Sequence, residues 1–203
     1  MQRVFIRGAM YRLWAILLVL FFISACANKA TKPEIVIEKS VESTKPVLTK
    51  LHQSEYEKGL DLMKAKSYDQ AHIIFTKLTT SYPNLAGAYV NLALIYNAKS
   101  DGNKAELTIS KALEINPNNV DALIQMAVLS QKSGRFKDVE RYLLTAEAIE
   151  SSNQIVQYNL AVLYEIYLQQ YDDAINHYEN YLALTSNDDK ETVKRWIQLL
   201  ERK

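Results

Sequence analysis

Residues 86–119 read AGAYVNLALIYNAKSDGNKAELTISKALEINPNN, and the reading of the whole chain starts from them. Two apolar runs of helical spacing lie in this stretch. The first carries Tyr89, Leu92, Ala93 and Tyr96, and the second carries Ala105, Ile109 and Ala112. Apolar residues three and four apart mark a helix that buries one face. Ser100-Asp101-Gly102-Asn103 between the runs has the composition of a turn, and Pro117 cannot continue the second run as a helix. The stretch therefore predicts two antiparallel helices joined by a tight turn.

The same pattern recurs on both sides. Gly59, Ala93, Ala127 and Ala161 are spaced by 34 residues throughout, and Pro83 and Pro117 are 34 apart. Ala71, Ala105, Val139 and Ala174 form a second ladder with steps of 34, 34 and 35. Phe75, Ile109, Leu143 and Tyr178 run parallel to it, as do Leu78, Ala112, Ala146 and Tyr181. Small residues at the first two positions let paired helices approach closely, and the larger residues fill the space between successive pairs. On these residues the chain resembles the tetratricopeptide repeat, whose period is 34 residues. The resemblance covers about three quarters of the chain. It implies an all-α, right-handed superhelical solenoid of about four helix pairs. The repeats are assigned as 52–85, 86–119, 120–153 and 154–188. A helix pair cannot bury its own apolar face, so the pairs must stack.

The later repeats depart from the pattern. Val139 and Ser151 replace an alanine and a proline in the third. The fourth has one extra residue near Gln169 and Gln170, which is expected to lengthen or distort its inter-helix turn. Asp172 and Asp173 are expected to cap the helix that follows. Six tyrosines lie in this repeat, of which Tyr167 and Tyr171 are expected to be the most exposed. His72 and His177 are expected at the surface or rim. Residues 189–203 read as one more helix that caps the array, with Val193, Trp196, Ile197 and Leu200 on its apolar face and Asp188 or Asp189 at its start.

The N-terminus has a different character. Arg3, Arg7 and Arg12 precede or border an apolar run from Leu13 to Ile23, followed by Ser24, Ala25 and Cys26, the sole cysteine. Eleven apolar residues are short of the roughly 20 that span a bilayer, and suit the core of a signal peptide. Ile23-Ser24-Ala25-Cys26 resembles the lipobox of bacterial lipoproteins, although that motif favours leucine where Ile23 stands. The resemblance implies a signal peptide over 1–25, lipidation of Cys26 and a membrane contact through the attached acyl chains. Two or three chains would hold the protein stably, at about 0.8 kcal/mol for each buried CH₂. Ala27, where aspartate would favour inner-membrane retention, implies the outer membrane with the protein facing the periplasm. Residues 26–51, rich in Lys, Glu, Ser and Thr with two prolines, read as a tether. Its reach is roughly 80 Å fully extended and nearer to about 30 Å as a coil.

Composition excludes several functions. The whole chain has 24 basic and 23 acidic residues. Without residues 1–25, which hold three arginines and no acid, 21 bases face 23 acids. That balance gives no footprint for nucleic acid. One cysteine excludes an intramolecular disulfide. No two of His52, His72 and His177 have the spacing of a helical metal site, and no phosphate loop or nucleophile elbow occurs. The sequence thus implies no enzyme, no cofactor, no metal and no small-molecule substrate. It leaves no residues for a catalytic domain outside the repeats.

What remains is protein binding. In the tetratricopeptide family the first helices of successive pairs line a concave groove. By register this places Tyr56, Val90, Ile124 and Tyr158 in one row and Leu60, Leu94, Val128 and Val162 in another, with Met63 beside them. Asn91 and Asn159 match the asparagine position of the family's carboxylate clamp, but its basic residues are missing. The expected groove is apolar and takes a hydrophobic peptide or an amphipathic helix of an envelope protein. The resemblance extends to three kinds of envelope factor: pilotins of type IV pilus secretins, adaptors of peptidoglycan-remodelling enzymes, and accessories of proton-driven energy-transduction complexes. Self-assembly through the array ends is the alternative.

Overall fold

The computed structural model describes residues 50–186 and 190–202. All of them belong to one compact unit, Lys45–Lys203. Cys26, the signal-peptide stretch, the tether as far as residue 49, and Asp188 and Asp189 lie outside the described residues; the last two residues expected in the tether, Lys50 and Leu51, instead begin the first helix.

The described chain is all-α, as the ladders predict. Its helices are α1 (Lys50–Lys64), α2 (Tyr68–Ser81), α3 (Ala86–Ala98), α4 (Gly102–Ile115), α5 (Val120–Lys132), α6 (Phe136–Ile149), α7 (Gln154–Val162), α8 (Tyr171–Leu184) and α9 (Lys190–Leu200). A π-helical segment, Leu163–Leu168, continues α7. Each helix packs on the next, and α1 with α2, α3 with α4, α5 with α6, and α7 with α8 form the closest partnerships.

Local chemistry fixes the helix ends. Three first or second helices begin on a side-chain cap: Asp101 accepts from Lys104 N at 3.2 Å, Asn119 from Ala122 N at 2.9 Å, and Asn153 from Ile155 N at 3.0 Å and Val156 N at 3.2 Å. The second helices end alike. Tyr82, Asn116, Glu150 and Thr185 donate their backbone N–H to Leu78, Ala112, Ala146 and Tyr181 at 2.8–2.9 Å. Pro83 and Pro117 follow two of these ends, but Ser151 leaves the third unchanged. The proline reinforces a stop that the chain already makes.

The four tight turns share one geometry. Lys66, Ser100, Gly134 and Gln169 have φ of 58, 62, 70 and 56°. These left-handed residues occur once per pair and close each first helix. Ser100, not Gly102, is therefore the special turn residue of the second pair. Gly102 is the first residue of α4, where an added Cβ meets nothing within 4 Å.

Of the two outcomes expected for the extra residue of the fourth pair, the structure shows distortion and not a longer turn. The residue is absorbed upstream as the π-helical segment. In the first three pairs the return bond spans five residues, as in Asp101 N to Tyr96 O at 2.9 Å; in the fourth, Gln170 N reaches Tyr164 O at 2.9 Å across six. A π-turn keeps the added peptide unit hydrogen-bonded within the helix, whereas a longer loop would not. Asp172 and Asp173 sit inside the first turn of α8, not at its cap, which is Gln170. There they complement the helix dipole.

The ladders are the core. Gly59 is the tightest rung: a Cβ there would fall 2.8 Å from Phe75 Cζ. Ala93, Ala127 and Ala161 hold the same position, each at most 2% exposed. Ala71, Phe75, Leu78 and Ile95 fill the interface between the first and second pairs. Ala105, Ile109, Ala112, Ala122 and Met126 continue it. Leu143, Leu160, Tyr178 and Tyr181 build the last part. Helix α9 closes this end with Val193, Ile197 and Leu200 buried and Trp196 at 5.7 Å from the Tyr178 ring. His177 is a correction: it is buried, not at the rim. Of the two tyrosines expected outside, Tyr167 is exposed and stacks on Phe136 at 4.4 Å, while Tyr171 is half-buried.

Candidate protein-binding groove

The first helices α1, α3 and α5 enclose a cleft of about 320 Å³. Tyr56 and Leu60 come from α1, and Gly87, Val90, Asn91 and Leu94 come from α3. Asn119, Asp121 and Gln125 supply the third side. The helical spacing of these residues on each element explains why they converge, since residues three and four apart share a face.

One end of the cleft is locked by polar contacts. The Asn91 amide donates to the Tyr56 hydroxyl at 2.7 Å and to the Gly87 carbonyl at 2.9 Å. Gly87 permits this arrangement, because a Cβ there would lie 2.8 Å from the Tyr56 hydroxyl oxygen. The Tyr56 ring meets Phe75 edge-on at 5.4 Å. Burial pushes the Tyr56 pKa up; the Asn91 hydrogen bond opposes this and the Asp121 carboxylate adds to it. Asn91, the clamp-like asparagine, is therefore engaged inside the fold. Asn159, its counterpart in the fourth pair, turns its amide back to Ile155 O at 2.7 Å.

The structure divides the residues predicted for the groove. Tyr56, Leu60, Val90, Asn91 and Leu94 meet in the cleft. Met63, Ile124, Val128, Tyr158 and Val162 do not line it. Val90 and Ile124 are only 6% and 5% exposed, so the row from Tyr56 to Tyr158 is not a continuous apolar wall. Besides its own partner α4, helix α3 packs on the first helices α1 and α5. Tyr158 packs on Tyr181 at 5.3 Å and on Tyr178 at 6.3 Å, half-buried. Met63, Val128 and Val162 are also half-buried.

Asn119 and Gln125 are cleft residues that the sequence reading left out. Gln125 was legible: Glu57, Asn91, Gln125 and Asn159 form their own ladder, one residue after the apolar row. Asn119 was hidden by its evident role as a helix cap. The groove is thus mixed in polarity, with an apolar floor and a polar third side. Among the described residues no group of His, Cys, Asp and Glu is placed to hold a metal ion, and no helix is long and apolar enough to cross a membrane.

Comparison with known proteins agrees with this architecture. Residues 86–183 match the family described as the TT21 fifth ARM repeats domain. No curated protein matches the chain. The pilF protein of Pseudomonas aeruginosa has a similar structure, with a TM-score of 0.66 and 20% identity over 73% of this chain and 67% of that one. A thermophilic tetratricopeptide protein of Thermus thermophilus gives a TM-score of 0.62 and 18% identity over 75% of this chain and 82% of its own. The first tetratricopeptide domain of Spaghetti (RPAP3), solved with the HSP90 peptide SRMEEVD, gives 0.52 and 18% over 56% of this chain and 90% of its own. By its 34-residue ladders, its stacked helix pairs and these likenesses, the described chain is a tetratricopeptide-repeat solenoid.

Proposed function

We propose that this protein is a lipid-anchored, non-enzymatic scaffold of the bacterial cell envelope that captures a segment of another protein in the groove of its repeats. The observation that carries the reading is the cleft between α1, α3 and α5, where three successive helix pairs contribute side chains to one concavity. A groove made by several repeats suits an elongated segment better than a compact small molecule. The RPAP3 domain illustrates a peptide held by the same fold. Anchoring rests on sequence alone. Cys26 directly after the apolar run is placed for lipidation, residues 26–49 for a tether that ends where the first helix begins, and Ala27 for the outer membrane facing the periplasm.

The machine served is of the kind assembled or stabilised by such scaffolds: a type IV pilus secretin, a peptidoglycan-remodelling enzyme or a proton-driven energy-transduction complex. The test is photo-crosslinking in the native envelope. A crosslinker at position 94 should give a discrete adduct whose mass identifies the partner. The same group at Leu107, 75% exposed on α4, is the control. Adducts from 107 with none from 94 would overturn the groove reading. Cys26→Ser should release the protein from the membrane fraction; unchanged membrane association would overturn the anchor.

A further inference from the structure

The polar third side of the cleft carries information about the partner's chemistry. Of its nine lining residues, Asp121 has the only formal charge, and no lysine, arginine or histidine is present. Asp121 is exposed in the first turn of α5, and no described residue forms an ion pair with it. Elsewhere on the repeats, Asp69, Asp101, Glu106, Glu114 and Asp138 are paired with bases at 2.5–3.6 Å. Gln125 beside it offers an amide oxygen, and Glu57 holds the register of Asn91 one pair earlier. The floor opposite is Leu60, Val90 and Leu94.

We propose that the cleft takes a protein segment in which a lysine or arginine is flanked by aliphatic side chains, with the cation on Asp121 and the aliphatic groups on Leu60, Val90 and Leu94. The inference rests on the groove reading above and gives it a charge. A long basic side chain suits the site because its methylene stem covers apolar surface while its head stays at the rim, where the carboxylate is. The cleft is near the lower limit of ligand pockets, enough for one long side chain and a neighbour. An acidic segment such as SRMEEVD is disfavoured here, since it would set carboxylates against Asp121 with no base to receive them.

A first-turn aspartate also complements its helix dipole, whether or not anything binds. The experiment separates that role from recognition. Two fluorescein-labelled peptides of leucine, alanine and glutamine, identical except for a central Arg or Glu, are titrated with the full chain in detergent and read by anisotropy. The Arg peptide should bind about tenfold more tightly than the Glu peptide. Asp121→Asn should reduce that preference to about threefold or less, Asp121→Lys should reverse it, and Gln125→Glu should widen it. Circular dichroism checks that each variant remains folded. A helix-dipole role would change melting temperature but leave the ratio of the two affinities unmoved, which would overturn the proposal. Equal binding of the two peptides, lost in Leu94→Asp, would overturn the charge preference and leave the groove standing. Binding insensitive to Leu94→Asp, or no binding of either peptide up to its solubility limit, would overturn both.

Discussion

The second and fourth helix pairs use the same registers and close their cores by different means. In the second, Ala93, Ala105 and Ala112 set α3 close to α4, Ile109 fills the gap, and the first helix is regular to its end. In the fourth, Tyr178 and Tyr181 replace the smaller residues, and the first helix widens into a π-segment. Tyr178 donates its hydroxyl to Glu165 at 2.6 Å, and burial together with that carboxylate pushes its pKa up. A buried polar chain completes this pair. His177 Nδ1 lies 2.8 Å from Gln157 Oε1, which requires the neutral ring to carry its proton on Nδ1. The Gln157 amide donates in turn to Glu147 at 2.9 Å and to Ser151 O at 3.1 Å.

The difference shows what a repeat ladder controls. It dictates which positions face each other and leaves their size and polarity free. It also tolerates an inserted residue, provided that the turn and the downstream helix keep their register. The insertion has a visible consequence. Ile166 and Tyr167 stand 58% and 39% exposed near the end of the first helix, where the second pair has Asn97 and Ala98.

The comparison can be broken most severely at its largest side chain. Tyr178→Ala should cost about 4 kcal/mol, and Ile109→Ala at the same rung about 3 kcal/mol, both read by urea denaturation. Because α9 leans on the aromatic cluster, the Tyr178 variant should also loosen residues 190–200 in hydrogen exchange, whereas the Ile109 variant should not. Equal protection of α9 in the two would show that the fourth pair is not organised around that ring.

A smaller effect tests the shared turn. Ser100→Gly and Gln169→Gly should each stabilise the array by about 0.5–1 kcal/mol, because glycine adopts the left-handed conformation without the Cβ penalty. Similar gains in melting temperature would support one turn geometry in both pairs. A loss at position 169 alone would place strain from the insertion in the turn after all. Gly102→Ala should also stabilise, by about 0.5–1 kcal/mol, since α4 gains helix propensity in open space.

The smallest expected effect is a pH dependence confined to the fourth pair. Burial holds the His177 pKa below its ordinary value of 6.5, against the opposing pull of Glu147 and Asp173. The folded state therefore binds fewer protons than the unfolded state. His177 contributes stability that is present above pH 6.5 and is lost as pH falls through its depressed folded value. Melting temperature should drop over that window in the parent chain. His177→Gln should flatten the drop; an equal drop in the variant would assign the dependence to other groups.

Much of this could be read from residues alone. The period of 34 residues and the small-residue ladders dictated an all-α stack of helix pairs, because close helix approach demands Gly or Ala at fixed positions. The apolar face of α9 followed from the spacing of Val193, Ile197 and Leu200. Half of the cleft, from Tyr56 to Leu94, also followed from register. Tertiary structure alone decided the rest. Periodicity places a residue on a helix face but does not tell which of two neighbouring helices covers that face, so Val90 and Ile124 were read as surface and prove buried. It does not tell whether an inserted residue enters a loop or a helix, because that choice depends on which backbone hydrogen bonds survive. It assigns one role to a helix cap, and only the packing of three first helices brings Asn119 and Gln125 to the cleft.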